Sequence, residues 1–371
     1  MTVSLCVIAY NEEELIGGLL EDISMQTYPH KLTEIIFVDN GSTDTTSAQL
    51  STFERMNRDF MRVCIRTQSK SNQAHGWNTA LCNAMGDIII RIDAHARIPE
   101  DYVEQCVAEI ENGEDIVGGG RPCITRHKND WNNTLLAAEE CLFGSSIMGY
   151  RRKQNEKRYL SSLFHAAYKR EVFEKVGGFN EFLGRTEDNE LHYRMRKRGY
   201  KFACCPSISS NQYMRESFKA MLRQKFSNGY WIGLTTFVSP GCLSLLHFAP
   251  FFLLLALIIT IVSAISGHAQ LLELLLAVYL LFDGIITISA LNYEGFNKTK
   301  PLLFLMFPAL HLTYGAGTLC GLVYGIPWKA AHPSAAAKRE IRRVKRAVKN
   351  NTIKDDDFDE YSELELDSFD L

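Results

Sequence analysis

Asp93 and His95 close an apolar run that begins at Ile88, in the stretch GDIIIRIDAHAR over 86–97. A buried strand of β-branched residues that ends in two polar side chains delivers a carboxylate and an imidazole to a sheet edge, where open α/β sheets bind ligands. An acid and a histidine two positions apart can share a divalent cation at an irregular strand end. A strand running into a capped loop would look the same. Asp39 ends another apolar run, Glu34–Val38, and is the kind of acid that holds a ribose hydroxyl or a base edge. Tyr10, Asn11 and Glu12 follow a third run, Val3–Ala9. The tyrosine can stack on a base, whereas Asn11 can equally serve as a helix cap. Glu187 and Asp188 open a helical stretch ending at Gly199. Acids in a first turn suit the helix dipole, and a carboxylate kept ionised there can take a proton from a hydroxyl. A plain capping pair is the alternative.

The elements that must position these groups alternate. Strands are expected at Val3–Ala9, Glu34–Val38, Arg62–Arg66 and Ile88–Ile92, with helices at Glu14–Met25, from Asp44 to Asn57, and at Ala74–Met85. That is a β-α-β-α-β-α-β order, hence a doubly wound, mostly parallel sheet with polar loops at its carboxyl edge. Neither GxGxxG nor GxxxxGK[ST] occurs, so a dinucleotide fingerprint and a P-loop are excluded. A strand is also expected at Asp115–Gly118, and helices at Tyr102–Glu111, Leu135–Phe143 and Arg170–Val176. Gly144–Tyr159, rich in glycine and bases, is a candidate mobile loop.

The 371 residues can bury a sizeable core, and a net charge of −3 gives no reason to expect a nucleic-acid partner. Met1 leads straight into a strand, without the basic start and cleavage site of a secretory signal. Ten cysteines without a CxxC pair point to reduced thiols and against structural zinc.

Four segments in order, VSLCVIAYNEE, IIFVDNGSTDTT, GDIIIRIDAHA and GRTEDNELHYRMRKRGY preceded by GGFNE, resemble the family-2 inverting glycosyltransferases of the GT-A fold. The resemblance covers residues 1–235 and implies a cytosolic catalytic domain there. It implies that Ala9, Tyr10 and Asp39 contact the nucleobase and ribose with help from Glu12, and that Asn72 and Gly76 line the nucleotide pocket. Asp93 and His95 stand at the family's Asp-X-Asp motif for Mn²⁺ or Mg²⁺, with Asp93 also at the donor. Asp188, beside Glu187, stands as the catalytic base. Two departures matter. His95 replaces the second Asp, which suits Mn²⁺ better than Mg²⁺. The Gln-X-X-Arg-Trp of processive synthases is absent from Arg223–Trp231, which implies one sugar per event. Asp-Ala-His, with HLTYGAG over 311–317, resembles the succinoglycan-type membrane subgroup.

Residues 243–326 hold three apolar runs, Leu243–Ile265, Leu271–Leu291 and Leu302–Ile326, a transmembrane region with two or three helices. The third is interrupted by Pro308 and carries Gly317, Gly321 and Gly325 at spacings of four, which allow close helix approach and an oligomer. A basic amphipathic helix over 329–350 can lie on an anionic membrane or in solvent. An acidic, disordered tail is expected over 351–371. Three crossings would set the basic run opposite the catalytic domain, against the positive-inside rule, so an even number is expected. The resulting expectation is a multi-pass, bacterial plasma-membrane enzyme. It moves a sugar from a UDP-sugar to a lipid-linked glycan in exopolysaccharide or capsule synthesis. A transferase to polyprenyl phosphate, or a non-catalytic nucleotide-sugar-binding membrane protein, are the alternatives.

Overall fold

The computed structural model describes residues 1–69, 72–141, 143–144, 155–291, 293 and 295–350. The acidic tail and most of the expected 144–159 loop lie outside them. The apolar runs become strands because each is buried on both faces between helices. In chain order these are β1 (Val3–Ala9), α1 (Ile16–Ser24), β2 (Thr33–Asp39), α2 (Thr46–Met56), β3 (Arg62–Thr67), α3 (Gln73–Asn83), β4 (Ile88–Asp93), β5 (Ala96–Arg97), α4 (Tyr102–Glu111), β6 (Ile116–Gly120), β7 (Cys123–Ile124) and α5 (Asp130–Glu140). There follow β8 (Arg158–Leu160), β9 (Ala166–Lys169), α6 (Arg170–Val176), α7 (Glu187–Lys197), β10 (Phe202–Ser209), β11 (Asn211–Tyr213) and α8 (Phe218–Thr235).

Eight strands form one sheet in the order β3-β2-β1-β4-β9-β6-β10-β8, and β5-β11-β7 form a small second one. The four amino-terminal strands are parallel, with Ala9 paired to Asp39 and Ile8 to Asp93. That register sets three strand ends side by side. β9 runs antiparallel between β4 and β6, an inversion the apolar pattern does not announce. Two cores flank the sheet, one with Leu5, Phe37, Ile90 and Tyr102, the other with Trp77, Ile89, Phe173 and Leu191.

Asn11 does not cap α1. The helix starts at Ile16 after Leu15, and Asn11 takes a positive φ of 52°. Its backbone amide donates to Ser42 Oγ (3.0 Å) and its Oδ1 accepts from the Thr43 amide (2.8 Å), tying the loops after β1 and β2 together.

Beyond α8 come α9 (Ala249–Ile265), α10 (Gln270–Leu291), α11 (Leu303–Ala331) and α12 (Ser334–Asn350). Among the described residues, three helical stretches are long and apolar enough to cross a membrane, 245–265, 270–291 and 300–331. They differ in burial. α9 has no buried residue, and α10 buries Asp283, Thr287 and Ala290. α11 stays helical through Pro308 and Pro327 and is packed along much of its length. Leu303, Met306, Phe307 and Leu310 join Leu135 and Ala138 of α5, while Trp328 joins Leu183 and Leu234. Its glycines are used inside the chain rather than left for an oligomer. A Cβ at Gly317 or Gly321 would stand 2.1 Å from the carbonyl oxygen of Phe226 or Tyr230 on α8. α12 is amphipathic as expected, but its apolar stripe lies neither on solvent nor free for a lipid surface. Val344, Ala347 and Val348 are buried against α3 and α6, and Arg170 donates to the Val348 carbonyl (2.7 Å).

Candidate active site

The expected residues converge on the carboxyl edge of β1, β2 and β4, to differing degrees. Tyr10 is exposed and leaves a ring face open to solvent, whereas Ala9 is buried beside it. Asp39 is fully buried and engaged by the chain. One oxygen accepts from the Ser42 amide (2.9 Å), the other from Ser47 Oγ. Asn72 caps α3 by accepting from the His75 amide (2.9 Å) and donates to the Glu181 carbonyl. A Cβ at Gly76 would meet the Asn40 amide at 2.9 Å, so glycine there lets α3 close on the end of β2.

Asp93 is buried. Its Oδ2 accepts from Gln212 Nε2 (3.0 Å), and its Oδ1 has no hydrogen-bond partner among the described residues. Burial pushes its carboxyl up, but His165, His95 and Arg91 outweigh this and hold it well below the usual carboxylate range. His165 stands immediately before the inverted strand β9, with Nε2 3.8 Å from Asp93 Oδ2 and Nδ1 2.8 Å from Ser210 Oγ. Burial pulls it down to about 4, so it is neutral. β11 pairs antiparallel with β5, Gln212 opposite Ala96, and this brings Gln212 to His95 Nε2 (2.7 Å). The other ring nitrogen, Nδ1, lies 3.1 Å from Glu12 Oε1. Burial lowers His95, but the bond to Glu12 and the charge of Asp93 prevail and raise it.

The second carboxylate pair opens α7. Glu187 is buried, with Oε1 3.9 Å from Arg91 Nη2. Burial, and then the neighbouring Asp188, push it up to about 8, so it keeps its proton at neutral pH. Asp188 is only partly covered, accepts from the Asn189 amide (2.8 Å), and is raised chiefly by burial. Arg91 projects from β4 onto this pair. Its guanidinium lies 4.5 Å from the Trp77 ring, 4.9 Å from Phe164 and 5.5 Å from Phe179, with none of its nitrogens hydrogen-bonded among the described residues. Sequence reasoning passed over Arg91, His165 and Gln212. A charge inside the run IIIRID was the available signal for Arg91. His165 and Gln212 carry no periodic or motif signal.

Beside α7 opens a cavity of about 880 Å³. Asn189 and Arg196 of α7 line it, together with Leu253 of α9 and Leu310 of α11.

Residues 4–177 match the Glycosyl transferase family 2 model. The chain is 26% identical over 340 residues to a dolichyl N-acetyl-α-D-glucosaminyl phosphate 3-β-D-2,3-diacetamido-2,3-dideoxy-β-D-glucuronosyltransferase of Methanococcus voltae, covering 87% of this chain and 98% of that one. It is 28% identical over 235 residues to succinoglycan biosynthesis protein ExoA of Rhizobium meliloti, covering 62% of this chain and 68% of that protein. Among solved structures it resembles the mannosyltransferase PcManGT of Pyrobaculum calidifontis, in complex with GDP-Man and Mn²⁺. The TM-score is 0.56 at 21% identity, over 87% of this chain and 86% of that one. With the strand ends, the paired carboxylates and these likenesses together, the chain is a glycosyltransferase that carries a family-2 domain on a GT-A-like mixed α/β fold.

Proposed function

We propose that the chain is a membrane-anchored, non-processive inverting transferase, moving one sugar from a nucleotide sugar, a UDP-sugar in our reading, to a lipid-linked glycan acceptor in exopolysaccharide or capsule synthesis. The observation that carries this is the cavity joining Asn189, next to Asp188, to the apolar helices α9 and α11. A lipid tail needs an apolar wall continuous with the bilayer, and a reacting hydroxyl needs a base at the other end. Arg196 gives the polar end a cation for an acceptor phosphate.

Asp188 is the base in this reading. It accepts the acceptor's proton as the oxygen attacks the anomeric carbon from the face opposite the nucleotide, so configuration inverts. Glu187, holding its proton, leaves the charge of the pair on Asp188. Tyr10 stacks on the base, and Ala9 and Glu12 border it. Asp39, Asn72 and Gly76 act from beneath, fixing the loops that form the pocket. Asp93 and His95 suit a divalent cation, because Asp93 Oδ1 is a buried acceptor without a partner among the described residues and His95 can present a ring nitrogen to it. Held there, a divalent cation would supply charge stabilisation for a departing diphosphate.

α12 packs on the catalytic domain and α11 on α8, so both ends of the apolar region return to one side. We take α9 and α10 to cross as a hairpin, with α11 lying against the catalytic domain and the carboxyl terminus cytosolic. A cysteine placed at Ala336 should resist labelling from outside intact cells, and labelling there would refute this topology.

The functional test is a panel of UDP-, GDP- and dTDP-sugars on detergent-purified protein, with polyprenyl phosphate or extracted glycolipid as acceptor. Transfer to glycolipid supports the proposal, whereas transfer only to polyprenyl phosphate moves the acceptor assignment to that lipid. Asp188→Asn should remove transfer, by roughly 10²-fold or more, while donor binding persists. Retained turnover would refute the base assignment.

A further inference from the structure

We propose that Glu12 makes His95 a metal ligand. Its carboxylate fixes the proton on Nδ1 and leaves the Nε2 lone pair facing Asp93, while the Gln212 amide holds the place that a divalent cation takes. This rests on the donor-site reading above and assigns roles to Glu12 and Gln212 within it.

The hydrogen bonds run in one direction only. Asp93 Oδ2 is an ionised carboxylate oxygen and can only accept, so the Gln212 atom 3.0 Å from it is the amide nitrogen. That same nitrogen lies 2.7 Å from His95 Nε2, so Nε2 must be the acceptor for its second hydrogen. A neutral imidazole that accepts at Nε2 carries its proton on Nδ1. Nδ1 stands 3.1 Å from Glu12 Oε1, the acceptor such a proton requires. One donor group is thus held between the two atoms that a cation would use, and Asp93 Oδ1 beside it has no partner among the described residues.

Glu12 is fixed in position independently. Its amide donates to Thr46 Oγ1 (2.9 Å), and its carbonyl accepts from the amides of Leu15 (3.0 Å) and Ile16 (2.8 Å). The side chain therefore reaches from the end of β1 to the end of β4 off a rigid base. A carboxylate hydrogen-bonded to the far nitrogen of a metal-bound imidazole orients the ring and raises its basicity. It also returns the negative charge that a second aspartate would have supplied at residue 95. The ion itself then meets one oxygen and one nitrogen, a donor pair that favours Mn²⁺ over Mg²⁺.

The test uses the full chain in detergent micelles and Mn²⁺ alone, titrated by the electron paramagnetic resonance of the free ion. Glu12→Gln should weaken Mn²⁺ binding by roughly 10–100-fold. With His95→Asp, the acid at residue 12 loses its purpose, and adding Glu12→Gln should leave affinity within about threefold or improve it. In metal-free protein at mildly alkaline pH, ¹⁵N-histidine spectra should show His95, assigned by its loss in His95→Asp, as the Nδ1–H tautomer. That measurement stands even if a variant folds poorly. An Nε2–H tautomer, equal loss from Glu12→Gln in both backgrounds, or no Mn²⁺ binding by the wild type would each overturn the inference. Each of these results would leave the transferase reading standing if the wild type still transfers sugar.

Discussion

Arg91→Met should move the acid limb of the activity profile upward without unfolding the protein. The Arg91 guanidinium is 3.9 Å from Glu187 Oε1, and both side chains are almost fully buried. At an effective dielectric of about 20, a guanidinium at that separation favours the ionised form of a carboxyl by about 4 kcal/mol. Asp188, one residue on and partly open to solvent, feels a fraction of this, roughly a third, and in the same direction. The sign follows from the base role proposed for Asp188, which needs the ionised form that the nearby cation favours. Without Arg91 the pKa of Asp188 rises, and activity is lost at a higher pH as the medium is acidified. Glu187 already keeps its proton at neutral pH, so its own further rise removes no repulsion and does not offset the change. Turnover below the limb should fall about tenfold and recover toward the wild-type plateau as pH increases. Arg91→Lys keeps the charge and should keep the limb in place. The melting temperature should fall without loss of the fold, because removing one member of a buried charge cluster also removes the guanidinium's contacts with three rings, while methionine fills most of its space. The measurements are kcat against pH and a thermal melt. A limb that stays put, or a loss of the same size at every pH, would show that Arg91 acts through packing alone.

Three further outcomes follow from the packing. Tyr10→Ala should raise the donor KM by an amount matching a lost stacking contact of roughly 1–3 kcal/mol, with Tyr10→Phe near wild type; equal KM values for all three would remove Tyr10 from the base site. Gly321→Ala puts a methyl 2.1 Å from the Tyr230 carbonyl, and should lower stability by about 1–3 kcal/mol, seen as a reduced melting temperature in detergent. Val344→Asp buries an unpaired charge under α12 at a cost of roughly 3 kcal/mol or more. Limited proteolysis should then cut near Pro333, between α11 and α12, and an unchanged digest would contradict the docking of α12.

The chain's order of apolar runs, each closed by a polar pair, determined the parallel half of the sheet and the placing of Asp39 and Asp93. A buried parallel strand needs a continuous β-branched run, and its ligand groups can come only at its end. The long apolar stretches near the carboxyl terminus are legible for the same reason: their composition and length match a bilayer. What composition does not encode is which apolar face meets lipid and which meets protein. α11 and α12 have sequences suited to a membrane, yet the tertiary structure turns the glycines of α11 onto α8 and the stripe of α12 onto α3 and α6. Asp39 reads as a ligand residue by its position, and the fold adds that its oxygens accept from Ser42 and Ser47. His165 is brought in by the inverted strand that follows it and Gln212 by a three-residue one, pairings made between distant segments. The sequence determined which strand ends could carry chemistry. Tertiary contact alone decided that Arg91 faces the paired carboxylates and that Glu12 holds the ring of His95, because hydrogen bonds and charge act across space rather than along the chain.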